Sequence, residues 1–569
     1  MALVINTNVS SLTAQRALAE SSAELETAME RLSTGSKINS AADDAAGLAM
    51  TQRMTAQVRG LAMAVKNAND GQALTQSIEG ALGEVSDMLQ RMRELALQAA
   101  NGTNSSADRT FLQSEVNLLI QEISRVSAST RYNGELILDG TFLNKALQVG
   151  IEEGENIIFS VDSVAAENVG AHTLVGEGVG ARAAQADPLA NPTTEADDIE
   201  IFGYLGTKST AASPGDSAKQ TAVKVNNLTG ETGVKAYAKT YASIESTSAE
   251  QKTYSVKING FTTGNFVISS GDVESAVDAI NQVSGSTGVT ASSSNNKIVL
   301  FDSDGDDITV ENLQTLDGFS DLRVSKLGED GLVSNVVGSA IDLGVSGGND
   351  STRVTGTLKL VSANPFSLDQ KAATRASGIL LNDTSIADGN TTLTFDAGHG
   401  LAVGASFTIA GETNGPTHYV TGVSGNDITF IPALVNGHGV QNDDAITIGT
   451  ETPGYYADGS STATLKDLTQ IRVNTAVSAG DSISIIDAAL DKVAQMRSDL
   501  GAIENRLSYT VSNLMNIAEK TADARSRLDD ADFALESARL AKAQVVQQAG
   551  TQMLAQANQM TQLVLDLLR

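Results

Sequence analysis

The chain has 569 residues, no Cys and no Trp, 41% hydrophobic and 4% aromatic residues, and a formal net charge of −30. That length calls for several domains rather than one core. The lack of Cys excludes disulfides, thiol catalysis and Cys-ligated metal, and the acidity argues against nucleic acid or an anionic membrane as partner. The charge is unevenly placed: residues 1–46 carry net −3, residues 525–569 net zero and residues 196–475 net −16. Nearly neutral ends can pack against copies of themselves, and an acidic middle suits a solvated outer face. The first cation is Arg16, so the chain shows no basic start of a signal peptide. No apolar run approaches the ~20 residues of a membrane span.

In chain order, Ala14, Leu18, Ser21, Leu25, Ala28 and Leu32 alternate spacings of 4 and 3, which predicts one narrow apolar seam on a helix. The seam stops at Ser33-Thr34-Gly35. A small polar stretch follows, and a second helical pattern begins at Gly47 and runs to residue 98, roughly 78 Å at 1.5 Å per residue. "ANGTNSSAD" breaks it. A third helix is predicted from Asp108 to Ser127, and after Asn133-Gly134 the residues 136–175 read as hairpin strands.

All seven prolines lie between Pro188 and Pro453, so long helices belong outside that window. Inside it, "VNNLTGETGVKA" (225–236) matches "INQVSGSTGVTA" (280–291) at an offset of 55 residues. Each copy follows a Gly-Asp and a short helical pattern and precedes alternating segments, which predicts a duplicated α+β module. Residues 377–460 alternate differently ("TTLTF", "ASFTIAG", "HYVTGV", "DITFI", "DAITIG") and read as a separate small all-β insert. Helical periodicity returns from Ile486 to Ile517. A terminal helix follows Asp529, Asp530 and Asp532, with a seam of Val546, Ala549, Met553, Ala557, Met560, Val564 and Leu567. Seams at both ends, more than 400 residues apart, imply that the ends meet and that the middle is inserted. A pair of narrow-seam helices buries little surface against the ordering cost of its residues, so these ends are expected to order when neighbours supply the missing contacts.

Residues that could carry chemistry are few. His172, His399, His418 and His438 show no metal-ligand spacing; the last three share the insert. "FDSDGDDITVE" (301–311) is acidic, but Gly305 is in the wrong register for a calcium loop of the EF-hand type, where Gly is sixth. No nucleophile elbow, phosphate loop, dinucleotide fingerprint or supported carboxylate pair appears. The expectation is no enzyme, no cofactor and no metal.

"RLSTGSKINSAADDAAGLAM" (31–50), "QRMRELALQAANGT" (90–103), "IIDAALDKVAQMRSDLGAIENRL" (485–507) and "QANQMTQLVLDLLR" (556–569) closely resemble bacterial flagellin. The resemblance covers roughly residues 1–175 and 476–569, and the repeat at 225–291 resembles a module of flagellin outer domains. It implies an α+β multidomain chain: a long coiled-coil bundle formed by both termini, a β-rich central region and a small all-β insert. The implied division is 1–46 with 525–569 as innermost coiled coil and spoke; 47–175 with 476–524 as helical bundle plus hairpin; 176–376 with 461–475 as outer module; and 377–460 outermost. The inner seam is carried by Leu18, Leu25, Leu32, Val546, Met553, Met560 and Leu567.

The resemblance further implies a subunit exported unfolded through a dedicated apparatus with an export chaperone. It polymerises with itself, or with other flagellins, beneath a cap and above hook–filament junction proteins, in an extracellular filament that drives motility. Toll-like receptor 5 of animal hosts is the implied receptor, at the positions matching Arg91, Leu95 and Glu115. The alternative is a hook–filament junction protein, against which stand the intact "NRL" after "LGAIE" and the full spoke motif. A flagellin with an enzymatic outer domain would carry a zinc-protease motif, which this chain lacks.

Overall fold

A computed structural model describes residues 8–567, apart from 190, 192–198, 211–214, 249, 270–271, 316–320, 371–380, 382–385, 388, 396–400, 402–405, 410–411, 413–417, 435–445, 449–453 and 457–458; from residue 560 onward it describes the backbone alone. The helices are α1 (Val9–Thr34), α2 (Ala45–Ala100), α3 (Ser106–Ser129), α4 (Ala218–Asn227), the one-turn α5 (Thr229–Thr232), α6 (Glu274–Gln282), the one-turn α7 (Ser284–Thr287), α8 (Ala476–Asp529) and α9 (Phe533–Leu567). The long ones are those that the proline-free ends predict. The chain gathers into two compact units: residues 1–80, 131–162 and 497–569, and residues 81–130 and 163–496.

In the first unit α1 packs against α9. The start of α2 buries Leu61, Ala64 and Ala68, and the second half of α8 buries Leu507 and Leu514. The hairpin of strands Lys145–Gln148 and Asn156–Phe159 adds Val149 and Ile157 to the cluster of Ala68 and Leu507. Gly71 makes room for it, since a Cβ there would sit 2.5 Å from Leu147 Cδ1.

In the second unit the rest of α2 buries Leu82, Val85, Leu89, Met92, Leu95 and Ala99, with Val116, Ile120 and Ile123 of α3 and Ile486, Ala489 and Val493 of α8 also buried. Strands Val289–Ser294, Lys297–Asp302, Lys235–Ser246, Thr357–Ser362, Gly170–Gly176 and Thr464–Asp467 lie in that order in one sheet, and strand Leu322–Leu327 also pairs with Lys235–Ser246. The repeat is real in three dimensions. The Asn226 side chain accepts from the Ala236 N–H (2.8 Å) and donates to its carbonyl (2.9 Å), and Asn281 does the same to Ala291 at 2.8 and 2.9 Å. Each copy turns through a left-handed glycine, Gly233 at φ 76° and Gly288 at φ 75°. Deeper in this unit, the buried Lys326 donates to the Val179 carbonyl (3.2 Å), Thr355 Oγ1 (3.1 Å) and the Gly356 carbonyl (3.1 Å). Burial pushes its ammonium down to about 7 against the opposing charges of Asp307 and Glu177.

The insert carries all five anticipated strands, in the sheet order Thr392–Thr394, Asp427–Ile431, His418–Ser424, Ser406–Ile409, Ile446–Ile448, over a core including Leu393, Phe395, Phe407, Val420, Ile428 and Phe430. His418 is buried in it, its Nε2 2.6 Å from Glu412 Oε2 and its Nδ1 2.8 Å from the Pro432 carbonyl; His399 and His438 lie outside the described residues. In the acidic loop, Asp302 Oδ1 accepts from the N–H groups of Asp304, Gly305 and Asp306, while the Lys219 ammonium sits 3.1 Å from Asp304 and 2.8 Å from Asp306. Among the described residues, no group of three or more His or carboxylate side chains is placed to hold a metal ion, and no helix is long and apolar enough to cross a membrane.

Candidate assembly surfaces

The α1–α9 contact is built from small residues. Ser11, Ser21 and Ala28 are buried on α1, with Ala14, Leu18, Leu25 and Leu32 half-buried between them, which is the stripe that the 4–3 spacing predicts. Three polar bonds fix its register: Asn8 Nδ2 donates to the Ala557 carbonyl (3.0 Å), Ser11 Oγ to Asn558 Oδ1 (3.0 Å) and Ser21 Oγ to the Ala543 carbonyl (3.1 Å). At the far end Glu536, buried on α9, faces Arg31 (3.4 Å) and Arg539 (2.9 Å).

On α9 the stripe toward α1 differs from the anticipated one. Leu540, Ala543, Gln547, Gly550, Leu554 and Ala557, stepping by 3 and 4, are buried or half-buried, whereas Val546 is 43% and Met553 67% exposed. The side chains of Met560 and Leu567 lie outside the described residues. The physical reason is close approach: Gly550 lets Leu18 in, since a Cβ there would sit 3.3 Å from Leu18 Cδ1. Hydropathy favours the larger residues of the adjacent stripe instead. A heptad of Ala, Gly and Ala at 543, 550 and 557 was the sequence signal for the contact.

The link between α1 and α2 is a built turn. Gly35 caps α1 at φ 74°, in the left-handed region that glycine enters freely. Lys37 N–H then donates to the Asp529 carbonyl (2.5 Å), and Ala531 N–H to the Gly35 carbonyl (2.9 Å), so the chain leaves α1 beside the passage from α8 to α9. Asp43 closes the turn by accepting from the Ser40 N–H, Ser40 Oγ and Asn39 N–H. The Ser40 bonds hold its carboxyl below the usual range. Asp532 starts α9 by accepting from the N–H groups of Ala534 (3.0 Å) and Leu535 (3.2 Å).

The three residues matched to a receptor face part ways. Arg91 and Glu115 meet on the surface, Nη2 to Oε1 at 2.8 Å, with Glu94 on the other side of the guanidinium at 3.0 Å. These bonds raise the Arg91 pKa, that to Glu115 most. Leu95 is 1% exposed, so Arg91 and Leu95, although four residues apart, do not share an open face. The large apolar side chains that α2 and α3 expose are Met50 (38%), Met63 (55%), Leu97 (48%), Phe111 (73%) and Leu118 (65%). Sequence spacing missed these because α2 faces packed neighbours on more than one side.

Comparison with known proteins gives one family. The bacterial flagellin N-terminal helical region matches residues 5–143, and the bacterial flagellin C-terminal helical region matches residues 483–568. Over the whole length of both proteins, the chain is 33% identical to B-type flagellin of Pseudomonas aeruginosa, 32% to flagellin of Salmonella typhimurium and 30% to flagellin A of Vibrio cholerae. Helical ends that pair with each other, a β-rich middle between them and full-length identity to named flagellins lead to one assignment: the chain belongs to the bacterial flagellins.

Proposed function

We propose that this flagellin acts as the self-polymerising subunit of a motility filament through the apolar side chains that the α1–α9 pair leaves in water. Val9 (62% exposed), Leu12 (56%) and Met29 (49%) on α1, and Val545 (65%), Val546 (43%) and Met553 (67%) on α9, carry the reading. Two helices cannot cover these positions for each other, and neighbouring copies can. In this reading residues 1–46 and 525–569 form the inner layer and residues 47–175 and 476–524 the layer around it. Residues 176–376 with 461–475, and then 377–460, lie outside. The chain is exported unfolded with a chaperone and added beneath a cap above the junction proteins; it carries out no catalytic step. Met553→Glu tests this, because the substitution charges the exposed stripe without touching the α1 contact. The monomer is expected to keep its circular dichroism while the concentration needed for polymerisation rises about tenfold or more; unchanged assembly contradicts the reading.

A second proposal concerns the same chain as a monomer. The Arg91–Glu115 surface is the docking face for Toll-like receptor 5, with Leu95 supporting it from beneath. Arg91→Ala and Glu115→Ala are expected to lower signalling by depolymerised protein in a receptor reporter, and intact filaments to signal weakly. Full signalling by the double mutant excludes this face.

A further inference from the structure

The second unit contains a groove of ≈ 350 Å³ between the turn after strand Ile199–Phe202, the start of strand Lys235–Ser246 and α8. Two features set it apart. The first is aromatic. In a chain with 4% aromatic residues, Phe202 (41% exposed), Tyr204 (47%) and Tyr237 (41%) are exposed in this part of the unit, and both tyrosines line the groove. Tyr204 is held in place by the backbone beneath it: a Cβ at Gly233 would sit 2.1 Å from Tyr204 Cε1, so the ring lies against a glycine. The second is electrical. On the helix wall, Asp487 is paired with Arg93 (2.6 Å) and Asp491 with Lys235 (3.1 Å), and Gln495 Oε1 accepts from Asn364 Nδ2 (3.1 Å). The wall therefore offers a row of acceptor oxygens with no net charge.

The duplication supplies an internal control. At the 55-residue offset, Tyr237 corresponds to Ser292 and Lys235 to Thr290, although both copies keep the same asparagine clasp and glycine turn. The module thus folds without the tyrosine and the lysine; in the first copy Lys235 pairs with Asp491 on α8 and Tyr237 lines the groove.

We propose that this groove binds a neutral saccharide, its C–H face against Tyr237 and Tyr204 and its hydroxyls donating to Asp487, Asp491 and Gln495. Tyrosine rings give a broad apolar face at low ordering cost, and carboxylates already matched by cations accept hydroxyl hydrogen bonds without drawing in a charged ligand. A wall whose charges are balanced gives a charged sugar no net electrostatic attraction.

Saturation-transfer NMR on the full-length monomer tests the site. Glucose, galactose, N-acetylglucosamine and their disaccharides serve as probes, with glucosamine and N-acetylneuraminic acid as charged counterparts. At least one neutral sugar is expected to bind saturably, with the strongest transfer to the C–H groups of one ring face. Tyr237→Ala is expected to weaken that binding about tenfold or more, Tyr237→Phe to retain it, and Ser292→Ala, at the equivalent position of the second copy, to leave it unchanged. Asp491→Asn, which keeps the side-chain shape, guards against a folding defect and is expected to weaken binding with an unaltered amide spectrum. The proposal is overturned if no neutral sugar binds the folded protein, if Tyr237→Ala binds as well as the parent, or if the charged sugars bind better. Absence of sugar binding combined with impaired polymerisation of Tyr237→Ala assigns the groove to a neighbouring copy of the chain instead.

Discussion

A chain lacking residues 1–33 or residues 536–569 will stay soluble, keep its other elements folded and form no filaments. Each deletion removes one partner of the α1–α9 pair, and with it the Asn8–Ala557, Ser11–Asn558 and Ser21–Ala543 bonds. The surviving helix then exposes its seam as well as its outer stripe, and an isolated narrow-seam helix does not hold its ordering cost in water. The remainder has cores of its own. The clusters around Leu507 and around Tyr254 and Ile298 contain no residue of either deleted segment. Electron microscopy of the exported protein checks the loss of filaments, and circular dichroism with gel filtration checks the retained fold. Native-type filaments from either truncation would falsify the role given to the terminal pair.

Tyr254→Ala is expected to cost the second unit about 4 kcal/mol, the usual scale for emptying a large aromatic from a packed core. Tyr254 is fully buried among Val256, Phe266, Ile298 and Val310. Its hydroxyl donates to Asp321 Oδ1 at 2.7 Å and lies 3.0 Å from Ser246 Oγ. Tyr254→Phe keeps the ring and loses those bonds, so its cost is expected to be about 1–2 kcal/mol. Burial raises the phenol above its ordinary value of 10.0. The folded state therefore holds its proton where the unfolded state releases it, and this contribution is fully present below pH 10 and declines as pH rises beyond it. Urea titration of both variants at neutral pH, and of wild type against Tyr254→Phe above pH 10, measures the two effects. Equal stability of Tyr254→Ala and wild type would remove this cluster from the core of the unit.

Much of this was legible in the residues, and the failures have a pattern. The seam of α1 reads directly because Leu18, Leu25 and Leu32 recur at an interval of seven, whereas Val9, Leu12 and Met29 fall outside that interval. The duplicated module was visible as a 55-residue offset, and the asparagine clasp explains why Asn226 and Asn281 recur in it. The five strands of the insert followed from strict alternation between Gly and Asn turns. The α9 contact was misplaced onto Val546 and Met553 because a small-residue interface is nearly silent in hydropathy, while the louder stripe beside it stays in water. That Leu95 is buried, although it was matched to a receptor contact with Arg91 and Glu115, did not show in the sequence, because a single helix period says nothing about how many sides of α2 are covered. The Tyr204–Gly233 contact needed coordinates, since neither residue signals the other along the chain.

The bond from Asn8 to Ala557 joins residues 549 positions apart, which sets a clock on the chain. At synthesis rates of about 5–20 residues per second, the interval between making these two residues is roughly 30 to 110 s. Throughout it α1 has no α9 to pair with, and its seam must be left open or held by another protein. The middle of the chain is rich in strands that pair within themselves, and it is complete once Thr464–Asp467 has been made to pair with Gly170–Gly176, before Ala557 exists. In the order of synthesis the chain therefore has a start with no local partner and a middle that has one.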